Sequence, residues 1–197
     1  MLIEKNEILK IYKKEGALQE GHFILSSGKH SSVYLQSAIV LSIPKYLNKI
    51  ALAMVFNIKK MIEIDSVNLV VSPAMGGVII GSKVGEILNK KSIFLERVNN
   101  KFTLRRGFKI LENDKILLIE DVLTTGKSSY ESIECIKSFG AEVICLASII
   151  DRSENNLEFN CPYTSLAKIN APIYSEEDIP LKLKKISAVK PGSRFLK

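Results

Sequence analysis

The segment of this sequence with the clearest chemical potential is Ile119-Glu-Asp-Val-Leu-Thr-Thr-Gly-Lys-Ser128. An apolar run ends in two carboxylates, and a turn with two threonines and a glycine then leads into a stretch with helical periodicity. The backbone N–H groups of such a turn, together with the positive end of the following helix, can bind a phosphate. Glu120 and Asp121 would repel a polyphosphate but can accept hydrogen bonds from a vicinal diol. The pattern therefore predicts a site for a phosphorylated sugar.

Two other interpretations of this segment were weighed against the sugar-phosphate site. A Walker A loop, G-x-x-x-x-G-K-[ST], needs a glycine where Asp121 stands, so the segment does not fit it. The two carboxylates could instead merely cap a helix. Separately, Ser128-x-x-Glu131 in the following helix resembles a capping box, and Gly140 would end that helix. We favour the phosphate site because hydroxyl side chains at Thr124, Thr125 and Ser128 add donors around the turn.

Three more apolar runs end in polar residues that could share this site. They are VNLVVS before Ser72-Pro-Ala-Met-Gly-Gly77, SIFLER at Glu96-Arg97, and EVICLASIID at Asp151-Arg152. Ligands of open parallel sheets bind beyond the carboxyl ends of the strands. We therefore expect these ends to lie beside Glu120 and Asp121.

The elements between these ends alternate between apolar strands and helices, which indicates βαβ units and an α/β fold with a mainly parallel sheet covered by helices. Residues 3–15 predict an amphipathic helix, and Pro44 opens a helix of about 18 residues. In the second predicted helix of the core, Gly77, Gly81 and Gly85 recur every four residues. We interpret them as a smooth face packed against the sheet.

Composition limits the class of protein further. The chain has 197 residues, 46% of them hydrophobic, a net charge of +7, and three cysteines without C-x-x-C spacing. These values argue against a disulfide framework or zinc ribbon, and favour free thiols in the cytoplasm. No run is long and apolar enough for a membrane-spanning helix, and the start lacks the apolar core of a signal peptide. The basic balance favours anionic partners.

Together the segments resemble the type I phosphoribosyltransferases, and residues 119–128 are similar to that family's signature for phosphoribosyl pyrophosphate (PRPP). Five segments resemble the orotate branch of the family, and they follow one another in the same order along the chain. They are Gly21–Leu35, Ser72–Gly77, Leu104–Phe108, Asp151-Arg152 and Lys190–Arg194. The resemblance implies transfer of ribose 5-phosphate from PRPP to orotate, giving orotidine 5′-monophosphate and pyrophosphate in de novo pyrimidine biosynthesis. It implies Mg²⁺ held mainly through PRPP, with no direct protein ligand.

The resemblance also divides the single domain, residues 1–197, into three parts. These are an N-terminal helix and hood (1–43), a core (44–161) and a C-terminal extension (162–197), which carries a net +4 of the chain's charge. A homodimer is implied, in which lid residues serve the neighbouring site. No nucleic acid or membrane partner is expected.

Site residues follow from the resemblance position by position. Glu120 and Asp121 would face the ribose hydroxyls, and Thr125 to Ser128 would hold the 5′-phosphate. The implied PRPP-binding set is Glu120, Asp121, Val122, Leu123, Thr124, Thr125, Gly126, Lys127, Ser128, Arg97, Met75 and Gly76. The implied orotate-binding set is Thr124, Arg152, Tyr34 and Leu35. A non-proline cis peptide bond is implied between Ala74 and Met75.

The segment Val98–Lys109 resembles the mobile catalytic lid but is shorter than the best-known pattern and lacks its histidine. Lys101 is our candidate for the catalytic lid cation, acting with Glu120 and Asp121. Gly76 stands where many members carry a lysine, and Ser26 where many place an orotate-contacting lysine.

Two alternative functions on the same fold stay open at this stage. A PRPP-responsive regulator or nucleic-acid binder is favoured by the basic tail, although the sequence has no helix-turn-helix or RNA-binding signature. A purine phosphoribosyltransferase would differ only in the base pocket.

Overall fold

The computed structural model describes residues 5–25, 27–154 and 156–191, and a six-stranded sheet lies at its centre. Ser26 and residues 192–194, which carried part of the resemblance, lie outside these ranges. The elements in chain order are α1 (Lys5–Lys14), β1 (Leu18–Ile24), β2 (His30–Leu35), α2 (Ser37–Leu41), α3 (Pro44–Ile58), a 3₁₀ turn (Ile64–Ser66), β3 (Leu69–Pro73), α4 (Gly76–Leu88), β4 (Lys91–Val98), β5 (Lys101–Leu104), β6 (Lys115–Leu123), α5 (Lys127–Lys137), β7 (Glu142–Asp151), β8 (Tyr163–Lys168), β9 (Ile173–Tyr174) and α6 (Leu181–Lys184).

The central sheet has the strand order β5-β4-β3-β6-β7-β8. All neighbouring pairs are parallel except the β4–β5 hairpin, which is antiparallel. Helices pack on both faces of the sheet. This architecture confirms the predicted α/β class with a mainly parallel sheet.

Alternation along β6 explains why both faces of the sheet are covered. Leu117 and Ile119 point to one face, where they join the apolar side chains of α1, α3 and α4. Ile116 and Leu118 point to the other face and join the core under α5. Successive side chains of a strand point to opposite faces, so a strand that is apolar throughout needs cover on both sides.

The glycine repeat of α4 brings this helix close to the sheet, as predicted. A Cβ atom on Gly81 would lie 1.9 Å from Ser72 Oγ, and one on Gly77 would lie 2.7 Å from the carbonyl oxygen of Ile119. No real Cβ atom approaches a neighbour so closely. The glycines therefore set the spacing between α4 and strands β3 and β6, whose ends form the site below.

The hood is a second, three-stranded sheet of order β1-β2-β9, and the chain after β9 packs on it. Val189 exchanges backbone hydrogen bonds with the hood, donating to His22 O (2.8 Å) and accepting from Ile24 N (2.8 Å). The His22 ring joins the same contact through Nδ1 to Ile186 O (2.9 Å) and Nε2 to His30 Nδ1 (2.7 Å). The hood is thus built from both ends of the chain.

The boundary that the sequence placed after residue 161 needs correction for one strand. Tyr163–Lys168 forms β8, which pairs in parallel with β7 and completes the central sheet. Its side chains are mostly half-buried because it is the edge strand, so YTSLAK lacks the apolar run that marked the inner strands. The core sheet therefore extends to residue 168. Among the described helices, none combines the length and apolar character needed to cross a membrane.

Candidate active site

The turn between β6 and α5 has the form expected of a phosphate site. Gly126 is the N-cap of α5 with φ 73°, and it offers no side chain to the N–H groups of the first helical turn. Thr124, Thr125 and Lys127 around it are exposed. Unsatisfied N–H groups and the helix dipole leave this end of α5 able to hold an anion.

The capping box considered for this helix is wrong. Ser128 lies inside the first turn, and its backbone carbonyl accepts a hydrogen bond from Ser132 Oγ (2.7 Å). Glu131 instead pairs with Arg97 and lies 3.8 Å from Lys127. A left-handed glycine begins the helix, so the N-cap residue has no side chain to compete with a ligand, and Thr125 Oγ1 accepts only a long hydrogen bond from Lys127 N (3.4 Å).

Asp121 brings the acidic pair into contact with the loop between β3 and α4. A Cβ atom on Gly76 would lie 2.4 Å from Asp121 Oδ1, so only glycine lets the loop backbone reach this carboxylate. The Ala74–Met75 peptide bond in this loop is cis, as predicted, and Met75 is exposed. The ends of β3 and β6 therefore form one surface, as the parallel topology requires.

Burial raises the pKa of both acids. The pKa of Glu120 lies well above its ordinary value of 4.5, first because the side chain is buried and second because Asp121 is adjacent. Burial also raises the pKa of Asp121, although a hydrogen bond from Ser37 opposes the shift. Tyr12 OH in turn donates to Ser37 Oγ (3.1 Å). No signal in the sequence pointed to this Tyr12–Ser37 support, because Tyr12 fits the apolar stripe of α1.

Replacing Glu120 by glutamine should make the protein less sensitive to rising pH. The raised pKa means that the folded chain retains the Glu120 proton to higher pH than the unfolded chain does. Stability therefore falls as pH rises above 4.5 toward the folded pKa. Glu120→Gln removes this titration, so we expect its urea midpoint to exceed that of the wild type increasingly as pH rises above 4.5. Glu63→Gln, an exposed acid, is the control; parallel profiles for Glu120→Gln and wild type would contradict the assignment.

Arg97 lies at the end of β4, where it contacts α5. It donates to Asn100 O (2.9 Å), pairs with Glu131, and stacks 4.2 Å from the centre of the Phe102 ring. Contacts with its own chain therefore hold Arg97 beside the start of α5.

The predicted lid consists of the β4–β5 turn, β5 and the loop that follows. Asn99 and Asn100 have positive φ, which suits a tight hairpin turn. Lys101 is exposed on β5. Arg106 donates two hydrogen bonds to Glu96, from Nε (2.9 Å) and from NH2 (2.8 Å). These two cations therefore differ in their surroundings, because Arg106 is paired with Glu96 whereas Lys101 is exposed to solvent.

The residues predicted to bind orotate come from the hood and from the end of β7. Arg152 is buried beside the end of β6, where its backbone N–H donates to Leu123 O (2.9 Å). Tyr34 packs against Phe23 with ring centres 5.7 Å apart, and Leu35 packs against the core. The structure therefore places Arg152 next to the turn that begins at Thr124, with the hood strand β2 adjacent through Val33.

Comparison with known proteins defines the class of this site. A family model described as a phosphoribosyl transferase domain matches residues 38–181. The adenine phosphoribosyltransferase of Trypanosoma brucei, solved with AMP, pyrophosphate and ribose-5-phosphate, has a TM-score of 0.63 at 17% identity, over 95% of this chain and 88% of that one, which shows the likeness of fold alone. The chain belongs to the phosphoribosyltransferase family.

Relatives with higher identity place it more narrowly. The chain is 47% identical over 190 residues to orotate phosphoribosyltransferase of Thermotoga maritima, covering 96% of this chain and all of that protein. It is 44% identical over 188 residues to the enzyme of the same name from Erythrobacter litoralis, covering 95% and 97%. The crystal structure of orotate phosphoribosyltransferase from Aeropyrum pernix has a TM-score of 0.65 at 26% identity, over 82% of this chain and 93% of that one. Within the family, its place is in the orotate phosphoribosyltransferase branch.

Proposed function

We propose that this chain transfers the ribose 5-phosphate group of PRPP to orotate, forming orotidine 5′-monophosphate and pyrophosphate. The observation that carries the proposal is the position of Asp121, which lies against Gly76 while it and Glu120 stand at the end of β6, the strand that leads into the turn before α5. Two acids beside an anion site suit a sugar that carries both hydroxyls and a phosphate. The near-full-length similarity to enzymes of this name supports orotate as the base.

The acidic pair has two tasks in this reaction. Its oxygens accept hydrogen bonds from the ribose 2′- and 3′-hydroxyls, while the first turn of α5 holds the 5′-phosphate. As the bond from C1 to the diphosphate breaks, positive charge develops on the ribose ring. Carboxylates held in a site that excludes water stabilise this positively charged transition state more than they stabilise the ground state, in which the ribose ring is uncharged.

Charge on the departing diphosphate needs cations. Mg²⁺, when bound, neutralises the diphosphate. Mg²⁺ tends to bind through substrate phosphates and water with few protein ligands. The ion would therefore be carried chiefly by PRPP, and Arg97 with the lid would add positive charge.

Assembly and location form part of the same proposal. We place the enzyme in the cytoplasm as a homodimer in which Arg97 and the lid serve the neighbouring site. The exposed tip of the β4–β5 hairpin supports this arrangement, because Lys101 is exposed there and accessible to a second chain. The three cysteines are free thiols, as a reducing compartment requires.

Isotope-traced turnover tests the proposed reaction directly. Purified protein with PRPP and Mg²⁺ should convert labelled orotate to orotidine 5′-monophosphate, and should convert adenine, hypoxanthine and uracil far more slowly. Chelation of Mg²⁺ should abolish turnover. Faster conversion of a purine would favour a purine enzyme, and tight, salt-sensitive nucleic-acid binding without orotate turnover would favour a regulator.

Removal of the Lys101 ammonium should slow catalysis without weakening the fold. One cation aimed at developing charge contributes a large factor in a closed site, and less in a lid that is open to solvent, so Lys101→Ala should lower kcat roughly 10- to 100-fold. Lys91→Ala, an exposed lysine at the other end of β4, is the matched control. An unchanged kcat in Lys101→Ala would transfer the lid role to another cation.

A further inference from the structure

The guanidinium of Arg152 is buried without a carboxylate partner. The residue is only 4% exposed, and every acceptor that it contacts in the described ranges is neutral. NH2 donates to Ser31 Oγ (2.8 Å) and to Ala171 O (3.1 Å), and NH1 donates to Val33 O (3.2 Å). Nε finds no hydrogen-bond partner among the residues that the structure describes. A buried cation in this state is costly and calls for an anionic ligand.

The adjacent carboxylate does not meet that need. Asp151 Oδ1 accepts hydrogen bonds from Ser153 N (2.8 Å) and Ser153 Oγ (2.6 Å), and Oδ2 lies 3.6 Å from Lys168 Nζ. Asp151 is thus committed to its own neighbours. Burial lowers the pKa of Arg152, and the charge of Glu154 only opposes that shift, because Glu154 makes its own hydrogen bond with Ile173 N (2.7 Å) and none with the guanidinium among the described residues.

Ser31 is the side chain that fixes this guanidinium. It is fully buried, and its hydroxyl oxygen accepts from Arg152 NH2 while the hydroxyl donates to Pro172 O (3.2 Å). The backbone N–H of Val33 also approaches the same oxygen (3.3 Å). Ser31 therefore connects three segments: the hood, the end of β7 and the loop before β9.

We propose that Ser31 is a positioning residue that acts through Arg152 on the carboxylate of the pyrimidine substrate. The inference rests on the proposed function and adds a residue to its base pocket. NH2 donates both of its hydrogen bonds, to Ser31 Oγ and to Ala171 O, and these bonds hold the guanidinium plane. The N–H of Nε and the second N–H of NH1 are left to donate to an anion. An Arg152 free to rotate would lose the paired geometry that suits a carboxylate.

The proposal predicts a loss of affinity that depends on the substrate carboxylate. Orotidine 5′-monophosphate carries that carboxylate, whereas uridine 5′-monophosphate lacks it and is otherwise the same. Ser31→Ala should weaken binding of orotidine 5′-monophosphate about 10-fold, the size expected for a hydrogen bond to a charged group. Binding of uridine 5′-monophosphate should change less than about 2-fold, because a positioning effect confined to Arg152 leaves the phosphate and ribose contacts intact. Titration calorimetry with both nucleotides measures the difference.

Ser32→Ala is the matched control. Ser32 is the next residue of β2, so its side chain points to the other side of the hood, where it lines a surface hollow with Leu183. This variant should bind both nucleotides as the wild type does. Ser31→Ala added to Arg152→Met should cause no further loss for orotidine 5′-monophosphate, since the serine acts through the arginine.

The outcomes separate this inference from the function on which it rests. Equal weakening of both nucleotides by Ser31→Ala, or no weakening of either, would overturn the positioning role even if wild-type turnover of orotate is intact. Failure of the wild type to convert orotate would instead remove the proposed function, and the inference with it. If Arg152→Met does not fold, the affinities of Ser31→Ala for the two nucleotides are sufficient to test the positioning role.

Discussion

Asparagine at position 121 should reduce kcat on the order of 10²–10³-fold, the loss typical of removing one preorganised electrostatic group from an active site. Asp121 lies at the end of β6 against the backbone of Gly76, so its carboxylate has a fixed position at the proposed ribose site. Asparagine keeps the shape and removes the negative charge that favours the developing ribosyl cation. Steady-state kinetics with PRPP and orotate would measure this effect.

The loss at Asp121 should be catalytic and not structural. Burial raises the pKa of Asp121, so a neutral side chain removes a destabilising charge, and the variant should unfold at the same or a higher urea concentration than the wild type. Asp65→Asn, at an exposed position of the 3₁₀ turn, should leave kcat unchanged. A kcat for Asp121→Asn close to that of the wild type would show that the acidic pair does not stabilise the transition state.

Alanine at position 81 should destabilise the protein by about 1–3 kcal/mol, the range for overpacking a well-filled core. In an exposed helix the same change would stabilise by about 1 kcal/mol, because glycine is a poor helix former. Here the added methyl would lie 1.9 Å from Ser72 Oγ and 3.1 Å from Ser72 Cβ, so packing outweighs propensity. Urea denaturation measures the change, and the melting temperature should fall by about 2–4 °C per kcal/mol.

A second substitution tests the cause of this effect. Ser72 Oγ is buried and has no hydrogen-bond partner within the described part of the chain, so Ser72→Ala alone should be nearly neutral. Combined with Gly81→Ala, it removes the atom in closest contact and should restore most of the lost stability. Gly81→Ala that is as stable as the wild type would show that α4 can shift away from the sheet. A double variant no better than the single one would show that Ser72 is not the source of the strain.

Much of the fold could be predicted because its signals are local. The inner strands are apolar runs that end in polar residues, and α4 carries a glycine repeat that is visible without any contact information. β8 was missed because an edge strand buries only part of its surface, so YTSLAK shows no apolar run. The capping box was wrong because Ser-x-x-Glu also occurs inside a first turn that begins with a glycine.

The sequence by itself determined the chemical groups of this protein and the class of element that carries each one, since strand, turn and helix preferences act over a few residues. Only the tertiary structure decided which groups meet. It brought Asp121 onto the backbone of Gly76, and it placed Ser31 on Arg152 across 121 residues of chain. Such contacts depend on strand order and on the packing of the hood, and these follow from the free energy of the whole chain and not from any short segment.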